Sequence, residues 1–130
     1  MTQFQPQLWV EEAATAVAFY VEAFGATVVH RVGEGQDIVA QLAVDDAAFW
    51  VSAASATLKR YSPRTIDATT GRTLLVTADP DAFVRRAVDA GAHLEAAPTD
   101  AHGWRLGRIV DPFGHEWEIG TPHPRHPERS

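Results

Sequence analysis

The chain has 130 residues, enough to bury a core, and it fits one domain. Its net charge of −6, without a cluster of Lys or Arg, argues against nucleic acid and favours a cationic or neutral small molecule as partner. The lack of cysteine excludes disulfides, thiol nucleophiles and thiolate metal sites. With no signal peptide visible and no apolar run near the roughly 20 residues of a membrane helix, we expect a soluble, cytoplasmic protein that binds no membrane.

The first half of the chain predicts one strand, one helix and three further strands. Residues 4–10 alternate in polarity, which predicts a strand with Leu8 and Val10 on one face. The Ala-rich segment 13–24 predicts a helix that ends at Gly25. Three further strands are predicted, over residues 26–33 and near residues 37–44 and 47–53.

Residues 54–70 show no clear periodicity. A loop of this length in a compact domain is usually functional, disordered or a linker between modules, and the sequence leaves these alternatives open.

The second half predicts the same order of elements. A strand over 72–78 leads into a helix that Asp79 and Pro80 begin. The segment Asp111–Gly114, with Pro second and Gly fourth, is typical of a type I turn. The remaining strands are predicted near residues 93–97, 104–110 and 115–119.

The two halves echo each other, because residues 16–26 resemble residues 82–92 in pattern. A repeated unit indicates two βαβββ modules, neither of which closes a core alone. We therefore predict an α+β fold in which paired βαβββ modules form a curved mixed sheet with a concave pocket. The predicted single domain spans 4–121, with module one over 4–53, the loop over 54–70, module two over 71–121 and a flexible tail over 122–130.

Residues 8–26, 79–92 and 103–119 together resemble the vicinal oxygen chelate (VOC) superfamily, which includes glyoxalase I, bleomycin-resistance proteins and extradiol dioxygenases. The resemblance covers nearly the whole chain except the loop and the tail. It implies the paired-module fold, but it leaves function open, because this fold is shared by enzymes and non-catalytic binding proteins.

Metal-dependent members place four ligands, usually His or Gln, Glu, His and Glu, on the first and fourth strands of each module. Carried over in that order, the positions fall on Gln5 or Gln7, on Trp50, on Thr73 or Arg72, and on Glu118. Indole offers no lone pair to a metal, and neither Thr nor Arg is a usual ligand. A metal, if present, would use Gln5 and Glu118, which are too few for a tight site. We therefore expect no cofactor.

The last predicted strand carries the strongest candidates for a binding site. Glu116 and Glu118 alternate with Trp117 and Ile119, so the two carboxylates face away from the side that packs under the helices. They are candidates to bind a ligand, and the alternative is that they are solvated carboxylates on an open sheet.

Aromatic and cationic side chains complete the predicted site. Trp9, Trp50 and Trp104 are candidates for pocket walls, against ordinary packing or burial in a dimer. Arg105 is a candidate partner for an anionic ligand group, against an ion pair with a carboxylate such as Glu118. The histidines form no metal spacing, and each is interpreted as structural or exposed.

We predict a small-molecule-binding protein of the bleomycin-resistance type, the class that contains antibiotic-resistance proteins. It would sequester a ligand without a metal, in a pocket completed by a C2 homodimer. One alternative is a metal-dependent glyoxalase-type lyase or isomerase, or a dioxygenase. Another is a dimeric interaction module with a filled pocket. The sequence does not identify the ligand or decide whether a reaction is catalysed.

Overall fold

The structure is a computed structural model, and it describes residues 1–123. Both modules show a strand, a helix and three further strands, with one short helix in the connection between them. The elements in chain order are β1 (Gln7–Val10), α1 (Ala13–Phe24), β2 (Thr27–Glu34), β3 (Asp37–Val44), β4 (Ala47–Ala53), α2 (Pro63–Ile66), β5 (Thr73–Val76), α3 (Pro80–Asp89), β6 (His93–Ala101), β7 (Trp104–Val110) and β8 (Glu116–Pro122). Most of the predicted tail lies outside the described residues, but Pro122 still belongs to β8.

Each module forms its own four-stranded mixed sheet. The strand orders are β1-β4-β3-β2 and β5-β8-β7-β6, in which the first pair is parallel and the other pairs are antiparallel. This confirms the predicted α+β fold with paired βαβββ modules. Within residues 1–123, no hydrogen-bonded ladder joins the two sheets, so the mixed sheet is divided at the boundary between the modules.

One aromatic core connects the two modules. The ring of Tyr20 on α1 lies 5.3 Å from Phe49 of the first sheet and 5.9 Å from Trp117 of the second. Phe49 and Trp117 also contact each other directly, at 5.6 Å between ring centroids. Burial of each large apolar side chain stabilises the fold by about 1.5–3 kcal/mol, so this shared core holds the modules together. The opposite face of each sheet lies outside this core.

A buried carboxylate fixes the contact between α1 and the second module. Asp111 accepts hydrogen bonds from the Tyr20 hydroxyl and, at 2.9 Å, from Trp117 Nε1. It also accepts from the backbone N–H groups of Phe113 and His115, at 2.9 and 3.0 Å. The turn predicted from Asp111 to Gly114 is present, because the Gly114 N–H donates to the Asp111 carbonyl at 3.0 Å.

Several boundaries differ from those predicted. The first strand begins at Gln7 rather than at residue 4, where Phe4 is almost fully exposed. Strand β6 continues to Ala101 through two register shifts in its pairing with β7. The unassigned loop contains α2, whose N-cap Ser62 accepts a hydrogen bond from the Thr65 N–H at 3.2 Å. The connection between the modules is therefore an ordered segment.

No helix within residues 1–123 is both long enough and apolar enough to cross a membrane.

Candidate functional site

The open face of the first sheet carries a polar and aromatic cluster. The register of β4 places Trp50 opposite Gln7 on β1 and Gln41 on β3, on the side away from the core. Gln5 joins them, because its Oε1 accepts from Trp50 Nε1 at 2.8 Å and from Gln41 Nε2 at 3.1 Å. We call Gln5, Gln41 and Trp50 the glutamine–tryptophan cluster. It places Gln5 and Trp50 together, as predicted from the resemblance.

The open face of the second sheet carries a charged cluster. The Arg72 guanidinium donates to Glu116 Oε2 at 3.3 Å and to Glu118 Oε2 at 3.2 Å. Arg108 Nε lies 3.6 Å from the same Glu116 oxygen. We call Arg72, Arg108, Glu116 and Glu118 the arginine–glutamate cluster. The prediction that both glutamates face away from the core agrees with this geometry, since Trp117 between them is buried.

The register of β5 decides whether Thr73 or Arg72 lies at the third of the four positions implied by the resemblance. Thr73 pairs with Trp117, whereas Leu74 pairs with Glu118. Because paired residues in adjacent strands share a face, Thr73 lies on the side of Trp117, and Arg72 lies on the side of the glutamates. Of the two alternatives that the sequence left open, Arg72 is therefore the neighbour of Glu118.

Arg105 does not face the glutamates. Its Nε donates to Asp81 Oδ1 at 2.6 Å, and its Nη1 donates to Asp100 Oδ1 at 3.1 Å. The hydrogen bond and charge of Arg105 lower the pKa of Asp81, because both favour the ionised carboxylate. The alternative of an ion pair with a carboxylate therefore agrees with the geometry, but the partners are Asp81 and Asp100 rather than Glu118. Arg105 shares the core-side face of β7 with Ile109.

Trp104 lies on β7 opposite Pro122. Because side chains alternate along a strand, Trp104 lies on the same face as Arg108. It is half-buried at the far end of that strand.

The open face of the first sheet contains a hollow of about 580 Å³, which we call the tryptophan hollow. Its lining includes Gln7, Trp9 and Trp50. Leu58 and Arg60, from the segment between the modules, close one side, and the Arg60 guanidinium carbon lies 5.9 Å from the centroid of the Trp9 ring. Three of the predicted ligand-binding residues therefore share one cavity, which falls within the usual size range of about 300–1,000 Å³ for small-molecule sites.

A second cavity of about 340 Å³ lies between the modules, and we call it the crevice. It brings Gln7 and Trp9 of module one together with Thr73 and Glu116 of module two. The loop predicted over 54–70 lines one wall, which favours the functional alternative for that segment. Four predicted residues line neither the hollow nor the crevice, namely Gln5, Glu118, Trp104 and Arg105. The structure thus divides the predicted site between two places, and a role of its residues in binding stays a prediction.

His115 is a residue of the crevice that sequence reasoning set aside. Its Nε2 lies 2.9 Å from the carbonyl oxygen of Trp9, so this ring joins the second module to β1. The residue follows the turn at Asp111, but the contact spans 106 positions in the sequence. No spacing in the sequence could have indicated it.

The donor atoms at the positions implied by the resemblance do not fit a divalent metal. Trp50 presents an N–H group, and Gln5 Oε1 already accepts two hydrogen bonds. Glu118 is the one carboxylate at these positions, and the Arg72 guanidinium already donates a hydrogen bond to it. Among the described residues, no group of three or more His, Cys, Asp or Glu side chains could hold a metal ion.

Comparison with known proteins gives the family. Residues 2–119 match the model of the Glyoxalase/Bleomycin resistance protein/Dioxygenase superfamily. The chain belongs to this superfamily. An uncharacterized protein of Mycobacterium bovis is 35% identical to it over 123 residues, which are 90% of this chain and 81% of that protein.

Solved structures of the superfamily agree with the fold. A gene product of Arabidopsis thaliana is 32% identical, with a TM-score of 0.67 over 92% of this chain and 96% of that one. The fosfomycin resistance protein FosX of Listeria monocytogenes, solved with Mn(II) and a dihydroxypropylphosphonic acid, has a TM-score of 0.72 at 13% identity over 95% of this chain and 93% of its own. At that identity, the likeness to FosX concerns the fold alone.

Proposed function

We propose that the chain is a small-molecule-binding member of the superfamily, of the bleomycin-resistance type, which sequesters its ligand without a metal. The observation that carries this proposal is the position of Arg72 between Glu116 and Glu118. A guanidinium already supplies the positive charge that a metal would bring to these carboxylates. FosX shows that the fold accepts Mn(II), but no contact among residues 1–123 of this chain favours the metal-dependent alternative.

The ligand site that the geometry favours is the tryptophan hollow. It combines two indole rings with the amide of Gln7, and large apolar walls with few polar groups are typical of small-molecule sites. Arg60 already lies near the face of the Trp9 ring, where an aromatic cation would otherwise bind. The carboxylates of the second sheet are likewise paired with arginines. We therefore propose a neutral or zwitterionic ligand in place of the cationic one considered from the net charge.

We further propose that a second copy of the chain completes the site in a C2 homodimer. Both open faces carry exposed apolar side chains beside the polar clusters, such as Val39 on the first sheet and Leu74 and Val76 on the second. Light scattering should give twice the mass of one chain at micromolar concentration. A monomer across a wide concentration range would contradict this assembly.

Fluorescence titration tests the proposed ligand class. Neutral, zwitterionic, cationic and anionic aromatic compounds, with bleomycin-like antibiotics among them, would be titrated while tryptophan emission is recorded. We expect saturable quenching by the neutral or zwitterionic compounds and at least tenfold weaker binding to Trp50→Phe, because truncating an aromatic anchor costs more than about 1.4 kcal/mol.

Trp104→Phe is the matched control, because Trp104 does not line the hollow. Equal loss in both variants, or saturation only after a divalent metal is added, would contradict the proposed function.

A further inference from the structure

His115 presents a defined hydrogen-bonding group to the crevice. The Trp9 carbonyl can only accept, so His115 Nε2 carries the hydrogen in the 2.9 Å contact. In the neutral ring this leaves the lone pair on Nδ1, which has no hydrogen-bond partner within residues 1–123. His115 is only partly exposed, and it lines the crevice. His115, which lines the crevice, therefore carries an acceptor that no described residue uses.

Apolar and aromatic side chains form part of the crevice wall, beside the uncharged polar side chains of Gln7, Thr69, Thr70 and Thr73. Trp9 of β1 and Tyr61 of the inter-module segment line it, together with Pro63 and Ile66 of α2. The charged side chains that reach it, Arg72 and Glu116, are paired with each other at 3.3 Å. This pair already balances the charges at the crevice wall, so an uncharged ligand leaves it intact.

We propose that the crevice is a second binding site, for a planar uncharged aromatic compound that donates one N–H or O–H hydrogen bond to His115 Nδ1. Its volume of about 340 Å³ suits one or two fused rings. The crevice shares Gln7 and Trp9 with the tryptophan hollow. The two cavities differ in their other walls, because Trp50 lines only the hollow, whereas Tyr61 and His115 line only the crevice. The proposal therefore does not depend on the proposed function.

Two probes that differ by one hydrogen-bond donor test this site. Isothermal titration calorimetry would compare indole with 1-methylindole, which has the same ring and no N–H. A net hydrogen bond contributes about 0.5–1.5 kcal/mol, so wild type should bind indole about two- to tenfold more tightly. Equal affinities, or no binding of either probe, would overturn the proposal.

Two variants of His115 separate the acceptor at Nδ1 from the link that Nε2 makes to β1. His115→Gln keeps an N–H group near the Nε2 position for the Trp9 carbonyl and should lose the preference for indole. His115→Asn places an amide oxygen near the Nδ1 position and should keep it. Thermal melting would verify that both variants fold. If His115→Gln folds and still prefers indole to the same extent, the assignment of Nδ1 is wrong.

Variants of the two aromatic sites distinguish the crevice from the hollow. Tyr61→Ala removes a wall from an exposed segment and should weaken indole binding, whereas Trp50→Phe should leave it unchanged. The reverse result would place indole in the hollow and overturn the proposed second site, while leaving the proposed function intact.

Discussion

The buried carboxylate of Asp111 shows how one residue connects distant parts of the chain. Its hydrogen bond from Tyr20 joins positions 91 residues apart. The pattern Asp-Pro-Phe-Gly predicts the turn, because it uses local backbone preferences. It does not predict the burial of the aspartate, since the Tyr20 donor comes from a helix of the other module. Removal of this acceptor would leave buried donors unpaired, at about 1–3 kcal/mol for each group.

Tyr20 provides a test of this contact through pH. Burial in the core raises the pKa of the Tyr20 hydroxyl well above its ordinary value, and the negative charge of Asp111 raises it further. The neutral hydroxyl is therefore favoured in the folded state. Its contribution to stability is complete below the unfolded pKa of about 10 and is lost as pH rises above that value.

We expect the free energy of unfolding of wild type, measured by urea denaturation, to fall above about pH 10. The fall should be steeper than in Tyr20→Phe by up to about 1.4 kcal/mol per pH unit, which corresponds to one proton. Tyr61→Phe is the control, because Tyr61 is exposed. Parallel pH profiles for wild type and Tyr20→Phe would show that Tyr20 is not held in this way.

At the scale of the elements, the two long helices begin by different means. Helix α3 has a local cap, in which Asp79 Oδ1 accepts from the Ala82 N–H at 3.1 Å. Helix α1 has no side-chain cap from its own N-cap residue, Glu12. Instead, Gln36 in the β2–β3 turn accepts from the N–H groups of Ala14 and Thr15 through Oε1, at 2.9 and 3.1 Å.

Gln36→Ala should therefore destabilise the fold as strongly as loss of a local cap. We expect a decrease of about 0.5–2 kcal/mol in the free energy of unfolding for Gln36→Ala and a similar decrease for Asp79→Ala, measured by urea denaturation. Gln36→Glu keeps the acceptor oxygen and adds a negative charge at a helix N-terminus, so it should retain stability. A change below a few tenths of a kcal/mol for Gln36→Ala would show that α1 does not need this contact.

The sequence could predict the bounds of an element where they depend on local patterns, but not where they depend on contacts with distant residues. Helix α1 has the predicted bounds, and β3, β4 and β7 lie where strands were predicted, because each follows a local pattern of burial or a local turn. The start of β1, the length of β6 and the existence of α2 were missed. The β6 boundary depends on irregular pairing with β7, which no alternation in β6 alone reveals.

At the scale of the whole molecule, alternation and resemblance predicted much of the candidate site. Both clusters contain residues that the sequence singled out, and the tryptophan hollow contains Trp9 and Trp50. What the sequence could not predict is the division of these residues between separate cavities. The choice of Arg72 over Thr73 also depends on a one-residue register, which reverses the face of every side chain in a strand.

The metal content of the purified protein shows whether Arg72 takes the place of a metal. Protein purified without chelators would be analysed for Mn, Fe, Ni and Zn, and apoprotein would be titrated with Mn²⁺ and Zn²⁺ by calorimetry. We expect far less than one equivalent of any metal and no saturable binding at the arginine–glutamate cluster. Near-stoichiometric metal that a chelator removes together with ligand binding, and that Glu118→Gln abolishes, would contradict it.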